Sequence, residues 1–67
     1  MTWRITLTSG AEVYTDTPID RDTLAANRWV AVQAIPRSVY GDILRNRPTS
    51  QMYLNIAQIV SIKEVEL

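Results

Sequence analysis

Apolar and polar side chains alternate at the start of the chain. In residues 2–8 every second side chain is apolar, beginning with Trp3, which is the two-residue period of a half-buried strand. A short turn at Gly10 follows, where a glycine takes a positive φ at no steric cost. Residues 12–15 are therefore predicted to return as the second strand of a hairpin, with Val13 in the core.

A helix is predicted after this hairpin. Asp20 is suited to the N-cap, and Asp22 would complement the helix dipole in the first turn. Ile19 and Leu24 have the spacing of a hydrophobic staple around that cap. We expect a helix of two turns from Asp20 to about Asn27, ended by Asn27 in a left-handed conformation.

The middle of the chain contains one clear strand and one ambiguous stretch. Residues 29–35 are apolar on both faces and rich in β-forming residues, which predicts a central strand, or one partly covered by the helix, that Pro36 ends. In residues 37–51 the apolar spacing is helical, but Gly41 interrupts it and Pro48 closes it. We expect an irregular connection with a short helical or strand piece.

Both tryptophans are expected in the core. Trp3 and Trp29 each begin an alternating or apolar strand, and one tryptophan fills much of the interior of so small a domain. An exposed tryptophan would instead be the first candidate for an interface hot spot.

The last third of the chain is again predicted to be strand. Met52, Leu54 and Ile56 alternate with Tyr53 and Asn55, and a single turn around residues 57–58 leads into a final strand over about residues 60–65. Five strands and one helix predict a mostly β (α+β) domain. The two candidate architectures are a small SH3-like antiparallel barrel and a strongly twisted five-stranded sheet.

The segment Tyr53-Leu54-Asn55-Ile56-Ala57-Gln58-Ile59-Val60-Ser61-Ile62-Lys63-Glu64 resembles the closing strand, single turn and final strand of small SH3-like barrels. The chain as a whole also resembles short uncharacterised proteins of bacterial and prophage genomes. This resemblance implies a fold, and SH3-like barrels serve nucleic-acid binding, peptide binding and oligomeric scaffolding alike. Peptide-binding SH3 domains cluster their aromatic residues, whereas the five aromatics of this chain are scattered along it.

Length and composition limit the range of possible functions. With 67 residues the chain allows a single domain, residues 1–67, and it has neither histidine nor cysteine, which removes the usual general base, thiol nucleophile and transition-metal ligands. We therefore expect no enzyme, no cofactor and no small-molecule substrate. Asp20 and Asp22 are interpreted as helix cap and first-turn charge rather than as a metal site.

Hydropathy and charge give an expectation for the compartment. No apolar run approaches the roughly 20 residues that span a bilayer, and the N-terminus lacks the layout of a signal peptide, so a cytoplasmic protein without a membrane partner is expected. Seven basic and seven acidic residues cancel, so any binding to nucleic acid would have to be local.

One segment has a local excess of positive charge. Arg37, Arg45 and Arg47 lie close together in the sequence with Tyr40 among them, and Asp42 alone offsets them. Guanidinium groups bind phosphates, and an exposed aromatic ring can stack on a base. These four residues are the candidate binding residues.

The sequence favours a non-catalytic protein-interaction module that binds another protein or a second copy of itself, because a domain of this size gains missing burial by pairing strand edges or apolar faces. The alternative is a nucleic-acid-binding accessory protein that uses the segment 37–47. A purely structural part of a larger assembly is the third hypothesis.

Overall fold

The five predicted strands form one open antiparallel sheet. The computed structural model describes residues 1–66. The elements are β1 (Thr2–Leu7), β2 (Glu12–Thr15), α1 (Arg21–Ala26), β3 (Trp29–Ala34), β4 (Ser50–Asn55), a 3₁₀ helix (Ile56–Gln58) and β5 (Ile59–Val65). The strand order is β4-β3-β2-β1-β5, so β4 and β5 are the edges, and the sheet does not close into a barrel. The mostly β prediction is confirmed, with an open sheet as the architecture.

The first hairpin follows the sequence pattern closely. Ile5 lies opposite Val13 in the β1–β2 register, and both side chains are buried. At the turn, Gly10 has a φ of 88° and donates its N–H to the Leu7 carbonyl at 2.9 Å. The positive φ is the reason for a glycine here, because a side chain would be strained in that conformation.

The backbone pairing between β2 and β3 is very short. Thr15 and Ala34 are the one residue pair in register there, supported by a 2.8 Å bond from the Ile35 N–H to the Tyr14 carbonyl. Next to this pair, the backbone groups of Gln33 bond to threonine hydroxyls instead of to backbone groups of β2. The Thr15 hydroxyl donates to the Gln33 carbonyl at 2.8 Å, and the Thr17 hydroxyl accepts from the Gln33 N–H at 3.0 Å. The sheet thus consists of two parts, β5-β1-β2 and β3-β4, joined at this junction.

The core is built from both parts of the sheet. Its buried cluster comprises Ile5, Val13, Val30, Val32 and Leu54. Because β1 and β2 supply two of these side chains and β3 and β4 supply three, burial of the cluster requires the two parts to face a common interior.

Helix α1 begins as predicted and ends differently. The Asp20 carboxylate accepts the Asp22 N–H at 3.2 Å, which confirms the N-cap, and Ile19 and Leu24 pack against the core cluster. The predicted left-handed Asn27 is wrong, because its φ is −127°. The Asn27 side-chain amide instead donates to the Thr23 carbonyl at 2.9 Å, so the last turn is satisfied without a positive φ.

Strand β3 lies inside the sheet between β4 and β2, as predicted for a central strand, but it is buried on one face only although its sequence is apolar on both. Val30 and Val32 are in the core, whereas Trp29, Ala31 and Gln33 are exposed on the other face. These three side chains remain open to solvent, and none of the residues of α1 is buried.

The ambiguous middle segment is an irregular connection, as expected. Between β3 and β4 the described chain has no helix or named strand, and an isolated bridge joins Arg37 to Ile43. β4 begins at Ser50, two residues before the predicted alternation. The predicted single turn is the 3₁₀ helix, and the Asn55 side chain caps it by accepting the Ala57 N–H at 3.0 Å. No helix within residues 1–66 combines the length and apolarity needed to cross a membrane.

Candidate interaction surface

The basic segment contains a small hydrogen-bonded loop. The Ser38 N–H donates to the Asp42 carbonyl at 2.8 Å, and the Gly41 N–H donates to the Ser38 carbonyl at 3.0 Å, with Gly41 at a φ of 87°. The loop presents Val39 and Tyr40 at its tip, where they are 94% and 89% exposed. The tip is therefore held by these backbone hydrogen bonds and by the Ser38 hydroxyl, which accepts the Tyr40 and Asp42 N–H groups, rather than by packing of its apolar side chains.

Two of the three arginines of this segment are engaged within the chain. The Arg37 guanidinium carbon lies 5.0 Å from the centre of the Tyr14 ring, within the range of a cation–π contact. Arg45 forms an ion pair with Asp16, with 2.6 Å between the Arg45 Nη1 and Asp16 Oδ2 atoms, and also donates to the buried Thr2 hydroxyl. This cluster attaches the middle segment to the end of the β1–β2 hairpin.

The contacts with Arg45 and Thr2 also affect the titration of Asp16. The hydrogen bond from Arg45, and then the one from the Thr2 hydroxyl, hold the pKa of the Asp16 carboxyl below its usual range. Both side chains of the ion pair are about half exposed, so water screens much of the attraction between them. Arg45 therefore has a structural partner, whereas Tyr40 and Arg47 are exposed.

A second surface was not predicted, because Trp29 was expected in the core. Trp29 is 56% exposed on the outer face of β3, and Tyr53 is 65% exposed on the same face of β4. In the register Trp29 lies opposite Asn55, and Ala31 lies opposite Tyr53. The two aromatic side chains are thus diagonal neighbours, a spacing that aromatic rings can bridge. We call Trp29, Ala31 and Tyr53 the outer aromatic face.

The sequence does contain a signal for this surface. Trp29 is in phase with Ala31 and Gln33 in the two-residue period of β3, whereas Val30 and Val32 occupy the opposite phase. A glutamine in phase with the tryptophan indicates the solvent side of the strand. Trp3 differs, because it is half-buried beside Ile19 and Leu24 under α1.

An open cleft of about 550 Å³ adjoins the outer aromatic face. Its lining residues come from the start of β3 and from the 3₁₀ helix region: Asn27, Arg28, Trp29, Asn55, Ile56 and Ala57. Trp29 thus belongs both to the outer aromatic face and to the lining of this cleft.

Comparison of the chain with protein-family models, with curated proteins and with solved structures finds no match in any of the three. Within residues 1–66, no group of three or more acidic side chains is arranged to hold a metal ion. The geometry of the exposed surfaces is therefore the basis for a functional proposal.

Proposed function

We propose that the chain is a non-catalytic protein-interaction module that self-associates through the outer aromatic face. The resemblance of residues 53–64 supports a place among small SH3-like proteins, and the resemblance of the whole chain supports a bacterial or prophage type. The short apolar runs and the N-terminal pattern of the sequence support a cytoplasmic location. The observation that carries the proposal is the exposure of Trp29 and Tyr53 as diagonal neighbours on adjacent strands.

Physical chemistry supports an interface at this place. Tryptophan and tyrosine are enriched among the residues that dominate binding energy, because they bury a large area with few rotatable bonds. Burial of apolar surface contributes about 25 cal/mol per Å² removed from water. The absence of histidine and cysteine from the whole sequence is consistent with a non-catalytic role.

The test is light scattering over a concentration series. We expect the mass of the unmodified protein to rise above that of one chain at high micromolar concentration, and Trp29→Ala to shift this rise to higher concentration. Val60→Ala is the matched control, because Val60 is 64% exposed on the far edge strand β5. A monomeric mass throughout for the unmodified protein contradicts the self-association.

A second candidate function is nucleic-acid binding, which the 89% exposure of Tyr40 favours. Tyr40 would stack on a base and Arg47 would contact a phosphate, while the engagement of Arg37 and Arg45 with Tyr14 and Asp16 weakens this proposal. The test is a titration with labelled single- and double-stranded oligonucleotides at about 50 and about 200 mM salt, because phosphate-driven binding weakens steeply with salt. Normal binding by a Tyr40→Ala, Arg47→Ala double variant contradicts it.

A further inference from the structure

The two edges of the sheet differ in charge. β4 consists of Ser50, Gln51, Met52, Tyr53, Leu54 and Asn55, with no charged residue and no proline. The other edge, β5, carries Lys63 and Glu64. Charged side chains on an edge strand oppose pairing with another strand, so β5 is protected and β4 is not.

The direction of the free backbone groups on β4 follows from one hydrogen bond. The Ile56 N–H donates to the Arg28 carbonyl at 2.9 Å, and these two residues continue the β3–β4 register in which Trp29 lies opposite Asn55. In an antiparallel pair, residues that bond across the pair alternate with residues whose N–H and C=O point away. The backbone N–H and C=O groups of Gln51, Tyr53 and Asn55 therefore point towards the open edge, in the plane of the sheet.

The hydrogen bonds on the β2 side of β3 support this assignment. The Ile35 N–H donates to β2, and both backbone groups of Gln33 bond to threonine hydroxyls on that side. Odd-numbered residues of β3 thus direct their groups to β2, and even-numbered residues direct theirs to β4. The same alternation leaves the odd-numbered residues of β4 facing the open edge.

We propose that β4 pairs antiparallel with β4 of a second copy of this chain, with Tyr53 opposite Tyr53 on the two-fold axis. This inference rests on the proposed self-association and narrows its site to the β4 edge, with Tyr53 of the outer aromatic face at the axis and Trp29 beside it as its diagonal neighbour on β3. In this register Gln51 lies opposite the partner's Asn55, so all three outward-facing residues of each strand bond across the axis. The two open sheets become one continuous sheet with the outer aromatic faces on the same side.

The side chains of β4 favour a second copy over an unrelated chain. The Asn55 side-chain oxygen already accepts the Ala57 N–H, which leaves the Asn55 amide nitrogen to donate to the facing Gln51. The central tyrosines place two aromatic rings at cross-strand distance, a pairing that stabilises sheets. Since no residue of β4 is charged, pairing of identical strands brings no like charges together.

The test is a charge swap at the axis. Tyr53→Lys and Tyr53→Glu each place two like charges directly opposite each other, so we expect each variant alone to self-associate at least about tenfold more weakly than the unmodified protein. An equimolar mixture places opposite charges there and is expected to associate at least about tenfold more tightly than either variant alone. Sedimentation equilibrium measures all of these samples.

The matched control is Val60→Lys and Val60→Glu on β5, because Val60 is 64% exposed and Tyr53 is 65% exposed. These variants are expected to self-associate normally. If the Tyr53 variants associate as well as the unmodified protein but Trp29→Ala associates more weakly, β4 pairing is wrong while association through the Trp29 part of the outer aromatic face stands. If they weaken without recovery on mixing, the Tyr53-centred register is wrong. A monomeric unmodified protein contradicts both proposals.

A measurement on the unmodified protein tests the backbone directly. Amide hydrogen exchange at Gln51, Tyr53 and Asn55 is expected to slow as protein concentration rises, because their N–H groups become bonded across the axis. Equal exchange of these three amides at low and high concentration, with self-association present, overturns the pairing.

Discussion

The junction between β2 and β3 provides a test of how this open sheet is held together. Thr15 is fully buried, and its hydroxyl donates to the Gln33 carbonyl at 2.8 Å while accepting the Thr17 N–H at 3.0 Å. Thr15→Val keeps the shape of the side chain and removes both hydrogen bonds. It leaves two backbone groups without partners at the one place where the two parts of the sheet are joined.

The expected destabilisation by Thr15→Val follows from the loss of these two hydrogen bonds. Each partly buried bond contributes about 1 to 1.5 kcal/mol, so Thr15→Val should lower the free energy of unfolding by about 2 to 3 kcal/mol. A domain of 67 residues has about 3 to 10 kcal/mol in total. At about 4 to 8 °C per kcal/mol, the midpoint of thermal unfolding should fall by about 8 to 24 °C.

Circular dichroism during urea and thermal unfolding measures both quantities. Thr17→Val is the matched control, because the Thr17 hydroxyl also bonds to Gln33, at 3.0 Å, but in an exposed place where water replaces it. We expect that control to cost less than about 1 kcal/mol. If Thr15→Val is as stable as the unmodified protein to within about 0.5 kcal/mol, the hydroxyl does not hold the two parts together.

Three further predictions concern local features. Because the pKa of Asp16 is lowered in the folded state, its contribution to stability is present above its unfolded-state pKa and is lost as pH falls through the folded-state pKa. Urea unfolding between pH 2 and 7 should show this loss for the unmodified protein and not for Asp16→Asn. At pH 7, Asp16→Asn should lower the free energy of unfolding by under about 1 kcal/mol. Asp20→Ala should cost about 1 kcal/mol by loss of the helix N-cap, with Asp20→Asn close to the unmodified protein in the same assay. Gly41→Ala should destabilise the loop by about 1 to 2 kcal/mol through the positive φ at this position, seen as faster amide exchange at position 41 and at Asp42 than in a Val39→Ala control.

Features that depend on near neighbours in the chain followed from the sequence. The β1–β2 hairpin needed only an alternating strand and a glycine turn, and the start of α1 needed only Asp20. The 3₁₀ helix likewise depends on Asn55, two residues from the N–H that it caps. Such interactions act over a few residues, so their signal is complete within a short window.

The environment of Trp29 did not follow from residue type. A tryptophan at the head of an apolar strand favours burial, and Val30 and Val32 are indeed buried. Which face of β3 is covered, however, depends on what packs against it, and α1 spans six residues with none of them buried. Gln33 was the one local indication that the face of Trp29 is open.

The sequence by itself determined five strands, one short capped helix and an irregular middle segment, because hydrogen-bonding and side-chain periods are local properties. Only the tertiary structure decided that Arg45 meets Asp16, 29 positions away, and that Thr15 joins β2 to β3. It also decided that the sheet stays open with β4 as an uncharged edge. These contacts depend on the path of the backbone around a common core, and that path is set by the packing of side chains distant in sequence.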